Sequence, residues 1–137
     1  MITVLGMWEA VWMEAERTER RLWKQTLAAF GVDAWGMCGI QGGPFTTPTQ
    51  HVDLAAMLAA YPGPKTFLIP PDRTATQDLR DYAHPTDAIY VFGNTHQSMA
   101  GHVTADDDVV SIFTPVASDM FGHVTLAAVL YDRVAKT

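Results

Sequence analysis

Ala88-Ile89-Tyr90-Val91-Phe92, followed at once by Gly93-Asn94, is the stretch on which the fold class turns. The run is apolar throughout instead of alternating, and a strand with no polar face belongs in a sheet covered on both sides. Four more runs are mostly apolar and do not alternate: Ile2 to Met7, Ala34 to Ile40, Lys65 to Ile69 and Val109 to Phe113. Helix-like segments lie between them. Arg17 to Phe30 is stopped by Gly31, a residue suited to the left-handed position after a helix. Asp53 caps Leu54 to Tyr61, which Pro62-Gly63-Pro64 ends, and Thr76 to Ala83 reads as one or two turns before His84-Pro85. Ser118 or Asp119 is the expected N-cap of a last helix running to Ala135. Strands alternating with helices predict an α/β fold with a mostly parallel, five-stranded sheet and helices on both faces.

The bulk properties agree. At 137 residues the chain has room for one domain, 1–137, and 48% hydrophobic with 18% charged residues is an ordinary globular balance. No apolar run approaches the roughly 20 residues that cross a bilayer. The start, Met1-Ile2-Thr3-Val4-Leu5, has neither a basic leader nor a cleavage pattern. The single cysteine, Cys38, has no Cys or His partner nearby in sequence and reads as a buried strand residue. Together these predict a reducing, cytoplasmic home. Net charge is −6, which argues against an extended basic surface for nucleic acid. RNA binding must then rest on a local patch, a dimer or a partner.

Met120, Phe121, Val124, Leu126, Ala127, Ala128, Val129, Leu130, Tyr131 and Val134 leave the last helix almost no polar stripe. A helix apolar all round is covered on more than one side. In so small a domain the second cover is expected from another copy, giving a homodimer with Trp23, Leu27, Tyr131 and Val134 as contacts. Simple wedging into the core is the alternative.

Three blocks carry a family likeness: Ala88 to Asn94; then Val109-Val110-Ser111-Ile112; then Met120 to Asp132, ending Leu130-Tyr131-Asp132. Upstream stands Thr26-Leu27-Ala28-Ala29-Phe30-Gly31-Val32-Asp33-Ala34. In this order and spacing the chain resembles the SPOUT RNA methyltransferases, above all the branch acting on ribose 2′-hydroxyls. The family's first knot loop is Phe-Gly-Asn-Glu-Gly-x-Gly-Leu, and its first helix exits through Phe-Gly-Val. The resemblance implies a C-terminal trefoil knot and a folded S-adenosylmethionine held mainly by backbone groups. It places that cofactor across Ile69, Pro70, Phe92, Gly93, Asn94, Ile112, Met120 and Phe121, with tRNA or rRNA as substrate.

The departures are specific. The family's catalytic arginine falls on Gln25, its Glu-Gly-x-Gly on Thr95-His96-Gln97-Ser98, its Ser-Leu-Asn turn on Asp119-Met120-Phe121, and the proline after Ile112 on Phe113. Gln25 carries no charge with which to stabilise an activated hydroxyl. Arg17, Arg20, Arg21 and Lys24, at i, i+3, i+4 and i+7, share a helix face that can hold phosphates or be a solvated face balanced by Glu14, Glu16 and Glu19. Arg21, one turn before Gln25, is the candidate replacement, and Asp119 is a candidate base or cap. His96, His102 and His123 are candidate bases or structural histidines; with Asp106 to Asp108 they match no metal-ligand spacing. Trp8, Trp12, Trp23 and Trp35 are stacking candidates or core residues. Three readings follow: an active methyltransferase, a knotted cofactor- or nucleotide-binding protein without chemistry, and an unrelated small α/β hydrolase or transferase using His and Asp in the Gly93–His102 loop.

Overall fold

The computed structural model describes residues 1–9, 13–39, 49–70, 77–95, 97–116 and 120–137. Its elements are β1 (Ile2–Met7), α1 (Met13–Ala29), β2 (Ala34–Cys38), β3 (Thr49–His51), α2 (Leu54–Ala60), β4 (Thr66–Leu68), β5 (Gln77–Asp78), β6 (Ala88–Phe92), β7 (Asp108–Ser111) and α3 (Gly122–Ala135). One sheet runs in the order β3-β2-β1-β6-β4-β7-β5, and every pairing is parallel. The α/β class and the parallel sheet are as expected, but the described residues form seven strands, not five. The two extra strands, β3 and β5, lie at the sheet's edges and pair through only three and two residues. Their sequences, Thr49-Gln50-His51 and Gln77-Asp78, carry no apolar run by which sequence could reveal them.

Both faces of the central strands are buried, which is why no alternation marks them. Val4, Met37, Tyr90, Phe92, Leu68 and Val110 pack with Trp23 and Leu27 of α1 and with Leu126, Val129 and Leu130 of α3. Leu5, Met7, Cys38, Phe67 and Val91 pack with Leu54 and Met57 of α2 and with Met99. On α1 the inward positions Glu19, Trp23 and Leu27 recur every four residues, one helical stripe. Gly31, with φ +64°, takes the left-handed stop after it. Asp53 caps α2 as expected, its carboxylate accepting from Ala56 N at 2.8 Å.

Two elements and the expected dimer contacts need comment. Thr76 to Ala83, read as one or two helical turns, holds one, the 3-10 turn Leu79–Asp81 capped by Asp78; β5 precedes it, and Thr76 lies outside the described residues. Ser118 and Asp119 lie outside the described residues, and α3 starts only at Gly122, with Phe121 at its N-cap and no side-chain cap bond. Of the expected dimer contacts, Trp23 and Leu27 are core residues, 1% and 6% exposed, while Tyr131 and Val134 are 67% and 56% exposed. Trp23 fills the α1–sheet interface because its indole has the largest apolar area on that stripe.

The N-terminal edge of the sheet is closed by side chains bonded to one another. Tyr82 Oη donates to Asp108 Oδ2 at 2.8 Å and pairs with Thr66 Oγ1 at 2.7 Å. His84 sits between Tyr90 Oη and Asp132 Oδ2, 2.7 Å from each. Arg133 donates to Tyr90 Oη at 3.0 Å and to the carbonyls of Pro85 and Thr86. The Asp132 carboxylate can only accept, so Nε2–H donates to it, and in the neutral ring Nδ1 accepts from the Tyr90 hydroxyl. A neutral imidazole satisfies every group, and burial holds the His84 pKa below its ordinary value. Lys136 completes the cluster, reaching Asp132 and the carbonyls of Leu79 and Tyr82.

Candidate functional site

Parallel strands put all their carboxyl ends on one edge, where open α/β sheets hold their ligands. Outside the ends of β6, β4 and β7 lies a cavity of about 410 Å³, within the range of small-molecule sites. Three loops form it: the residues after β4, those after β6, and those from the end of β7 to the start of α3. Ile69, Pro70, Phe92, Gly93, Asn94, Ile112 and Met120, seven of the eight positions expected to hold a cofactor, line this one cavity. The eighth, Phe121, does not; it is 52% exposed and stacks on His123 with ring centres 6.0 Å apart. Met99, Thr95, Gln97, Ser98 and Thr125 also line it. Thr95, Gln97 and Ser98 belong to the loop that departs from the family motif; Met99, and Thr125 of α3, were not singled out in the sequence.

Two glycines let the cavity form. A Cβ on Gly122 would stand 2.8 Å from the Gly93 carbonyl oxygen and 3.1 Å from the Trp23 ring, so only glycine lets α3 begin against the exit of β6. A Cβ on Gly93 would meet the Met99 methyl at 3.1 Å. Ser111 fixes the third wall, donating to the Ile69 carbonyl at 2.9 Å.

The loop after β6 is tied to the exit of β1. Asn94 Nδ2 donates to the Trp8 carbonyl at 2.8 Å, and Asn94 Oδ1 accepts from Gln97 N at 2.9 Å. Thr95 N donates to Glu9 Oε2 at 2.7 Å, and the Thr95 hydroxyl donates to Glu9 Oε1. Glu9 N donates in turn to both oxygens of the buried Glu19 carboxylate. Glu19 therefore faces inward from α1. A carboxylate stands at this loop, supplied by Glu9 two residues beyond β1 and bonded to Thr95.

Arg17, Arg21, Lys24 and Gln25 are exposed on α1 and Arg20 is half-buried; none of the five lines the cavity. Asp119, His96 and Trp12 lie outside the described residues, as do the side chains of Glu14 and Glu16. His123 is half-buried beside the cavity-lining Gly122. Burial lowers its pKa, against a smaller opposing pull from Glu9, and its Nδ1 has no hydrogen-bond partner among the described residues. His102 is half-buried on a 3-10 turn. Asp107 is spent on Lys65 N, Thr104 N and the Thr104 hydroxyl, and Asp108 on Tyr82. No group of three or more His, Cys, Asp or Glu able to hold a metal occurs among the described residues. Cys38 is buried in β2, and burial, with Asp53 adding, pushes its thiol up to about 12, so it is an unreactive thiol. Trp8 and Trp23 are buried, and Trp35 is half-buried. No helix among the described residues is long and apolar enough to cross a membrane.

No family model and no curated protein matches the sequence. Solved structures do match over almost the whole chain. A structure from a study of 2′-OH methylation of C/U34 on tRNA superposes with a TM-score of 0.72 at 16% identity, covering 98% of this chain and 95% of that one. The Aquifex (A. aeolicus) TrmH/SpoU tRNA modifying enzyme gives 0.71 at 12% identity, covering 98% and 74%. The SpoU methyltransferase AviRb from Streptomyces viridochromogenes gives 0.68 at 17% identity, covering 98% and 59%, and it has also been solved in complex with AdoMet. The sheet order, the cavity and these superpositions lead to one structural conclusion: this chain has the fold of the SpoU/TrmH RNA methyltransferases.

Proposed function

We propose that this protein is an S-adenosylmethionine-dependent methyltransferase of SpoU type acting on tRNA or rRNA. The observation that carries the reading is the convergence of three loops on one cavity at the carboxyl edge of the sheet, through positions that the sequence motifs single out independently. The residues fit the cofactor. The cavity has the volume, and its described lining is apolar or neutral, with Gly93 and Gly122 part of it. Such a wall suits a ligand held by backbone groups and apolar contact. Ile69, Pro70, Phe92, Gly93, Asn94, Ile112 and Met120 would hold S-adenosylmethionine, whose chemistry is an electrophilic methyl on a sulfonium sulfur. The chain's contribution is to bind it, orient it and exclude water. Arg17, Arg20, Arg21 and Lys24, outside the cavity lining, are the proposed contacts for RNA phosphates.

In the same reading the C-terminal segment is threaded as a trefoil knot. Its support is that β4 is flanked by β6 and β7, both later in the chain. A homodimer is supported by the apolar exposed side of α3, Val124, Tyr131 and Val134, with Leu22 of α1 also exposed. A lone buried thiol suits a cytoplasmic setting.

A second reading has a specific observation behind it. Among the described residues the cavity lining contains no titratable side chain, and Gln25 is uncharged. A protein that binds the cofactor without transferring its methyl fits that lining. Incubation with methyl-labelled S-adenosylmethionine and bulk tRNA and rRNA separates the two: label in RNA is the result expected here, and cofactor binding without label in any RNA establishes the second reading.

A further inference from the structure

The loop after β6 gives Gly93, Asn94, Thr95, Gln97 and Ser98 to the cavity, and it leans on two carboxylates in series. Glu9 takes both donors of Thr95, and Glu19, buried on α1, takes the backbone donor of Glu9. A negative charge thus stands one residue behind a wall whose own described side chains are uncharged. We propose that Glu9, backed by Glu19, makes the cavity prefer a cationic ligand, so that the sulfonium cofactor is held more tightly than the neutral thioether left after its methyl departs. This rests on the cofactor reading above and names a selectivity which that reading does not contain.

The physics is a charge acting on a charge. For a cation seated about 8 Å from a carboxylate at an effective dielectric of about 20–40, removing that carboxylate would weaken binding about sixfold to thirtyfold. A neutral ligand of the same shape feels little of this. S-Adenosylmethionine and S-adenosylhomocysteine share every charged group except the sulfonium, so the ratio of their affinities isolates the charge on sulfur. Arg17 and Arg20 lie on the helix that carries Glu19 and temper the field in both ligand complexes alike. The consequence for turnover is that the product leaves more readily than the substrate cofactor.

The experiment is calorimetric titration of the full chain with each ligand, in wild type, Glu9→Gln, Glu9→Asp and Thr95→Val. Wild type is expected to favour S-adenosylmethionine, and Glu9→Gln to reduce that preference about tenfold by weakening this ligand alone. Glu9→Asp keeps the charge and the preference. Thr95→Val loosens the loop, weakening both ligands together with the ratio held. Equal losses of both ligands in Glu9→Gln, or an unchanged ratio, overturns the charge role while leaving the cofactor reading intact. Failure of wild type to bind either ligand overturns both. Should Glu9→Gln not fold, a lost preference in Glu9→Asp overturns the proposal, because that variant retains the charge.

Discussion

At the N-terminal edge of the sheet side chains bond side chains: His84 with Tyr90 and Asp132, Tyr82 with Thr66 and Asp108, Arg133 and Lys136 with the carbonyls around them. At the C-terminal edge the loops meet across a cavity lined by Gly93, Gly122, Met99 and short polar groups, with the charges of Glu9 and Glu19 held behind the wall. The first edge satisfies its polar groups internally and so needs nothing further. The second keeps space and neutral wall for something that is not protein. A substitution at one edge should therefore read out as stability, and at the other as ligand affinity.

The largest separation is expected from Gly93→Val. The new side chain meets the flexible end of Met99, which yields by moving into the cavity it already lines. Cofactor affinity should fall at least about a hundredfold, or about 2.7 kcal/mol, while stability falls by only about 1 kcal/mol. Titration calorimetry and denaturant unfolding check the two halves, and the comparison breaks if stability falls more than affinity.

Asp132→Ala is the opposite case. It leaves buried His84 and half-exposed Lys136 without their shared carboxylate. A loss of about 2–3 kcal/mol in unfolding free energy is expected, with cofactor affinity unchanged. A comparable loss of affinity would mean that the two edges are not separate.

These two edges were unequally legible in sequence. The apolar runs are strands because both faces are buried, and the bends that line the cavity were placed through the family resemblance of Ala88 to Asn94, Val109 to Ile112 and Met120 to Asp132. The N-terminal network joins residues 48 apart, such as His84 and Asp132, and no local pattern announces such a pair. Glu9 and Thr95 are 86 apart and were missed for the same reason. A glutamate following the apolar run Ile2 to Met7 and Trp8 was the available signal for Glu9. Trp23 and Leu27 were assigned to an interface because helix periodicity shows which residues share a stripe but not what covers it.

A smaller effect is expected from Arg21→Ala, whose side chain is exposed on α1 and away from the cavity. RNA affinity should drop about threefold to tenfold with a shallower salt dependence, as for one lost phosphate contact, and cofactor affinity should hold. Filter binding at several salt concentrations measures this.

The smallest is a pH effect at the N-terminal edge. His84 has its pKa lowered from 6.5, mainly by burial, against the opposing pull of Asp132. Below 6.5 the unfolded chain takes up a proton that the folded chain resists, so the contribution is complete above 6.5 and is lost as pH falls toward the folded value. His123, also lowered by burial, acts with the same sign. Thermal unfolding between pH 7.5 and about 5 should show wild type losing stability, and His84→Gln losing less of it over the same window. Parallel curves for the two would remove His84 from the account.

The central claim, that the carboxyl-edge cavity is where this protein holds S-adenosylmethionine, is met most directly by amide NMR spectra recorded during titration with the cofactor. The account predicts saturable shifts concentrated at residues 68–70, 92–99, 110–112 and 120–125, with His84, Asp132 and their neighbours unmoved. No shift at millimolar cofactor, or shifts gathered at the N-terminal edge, would contradict it.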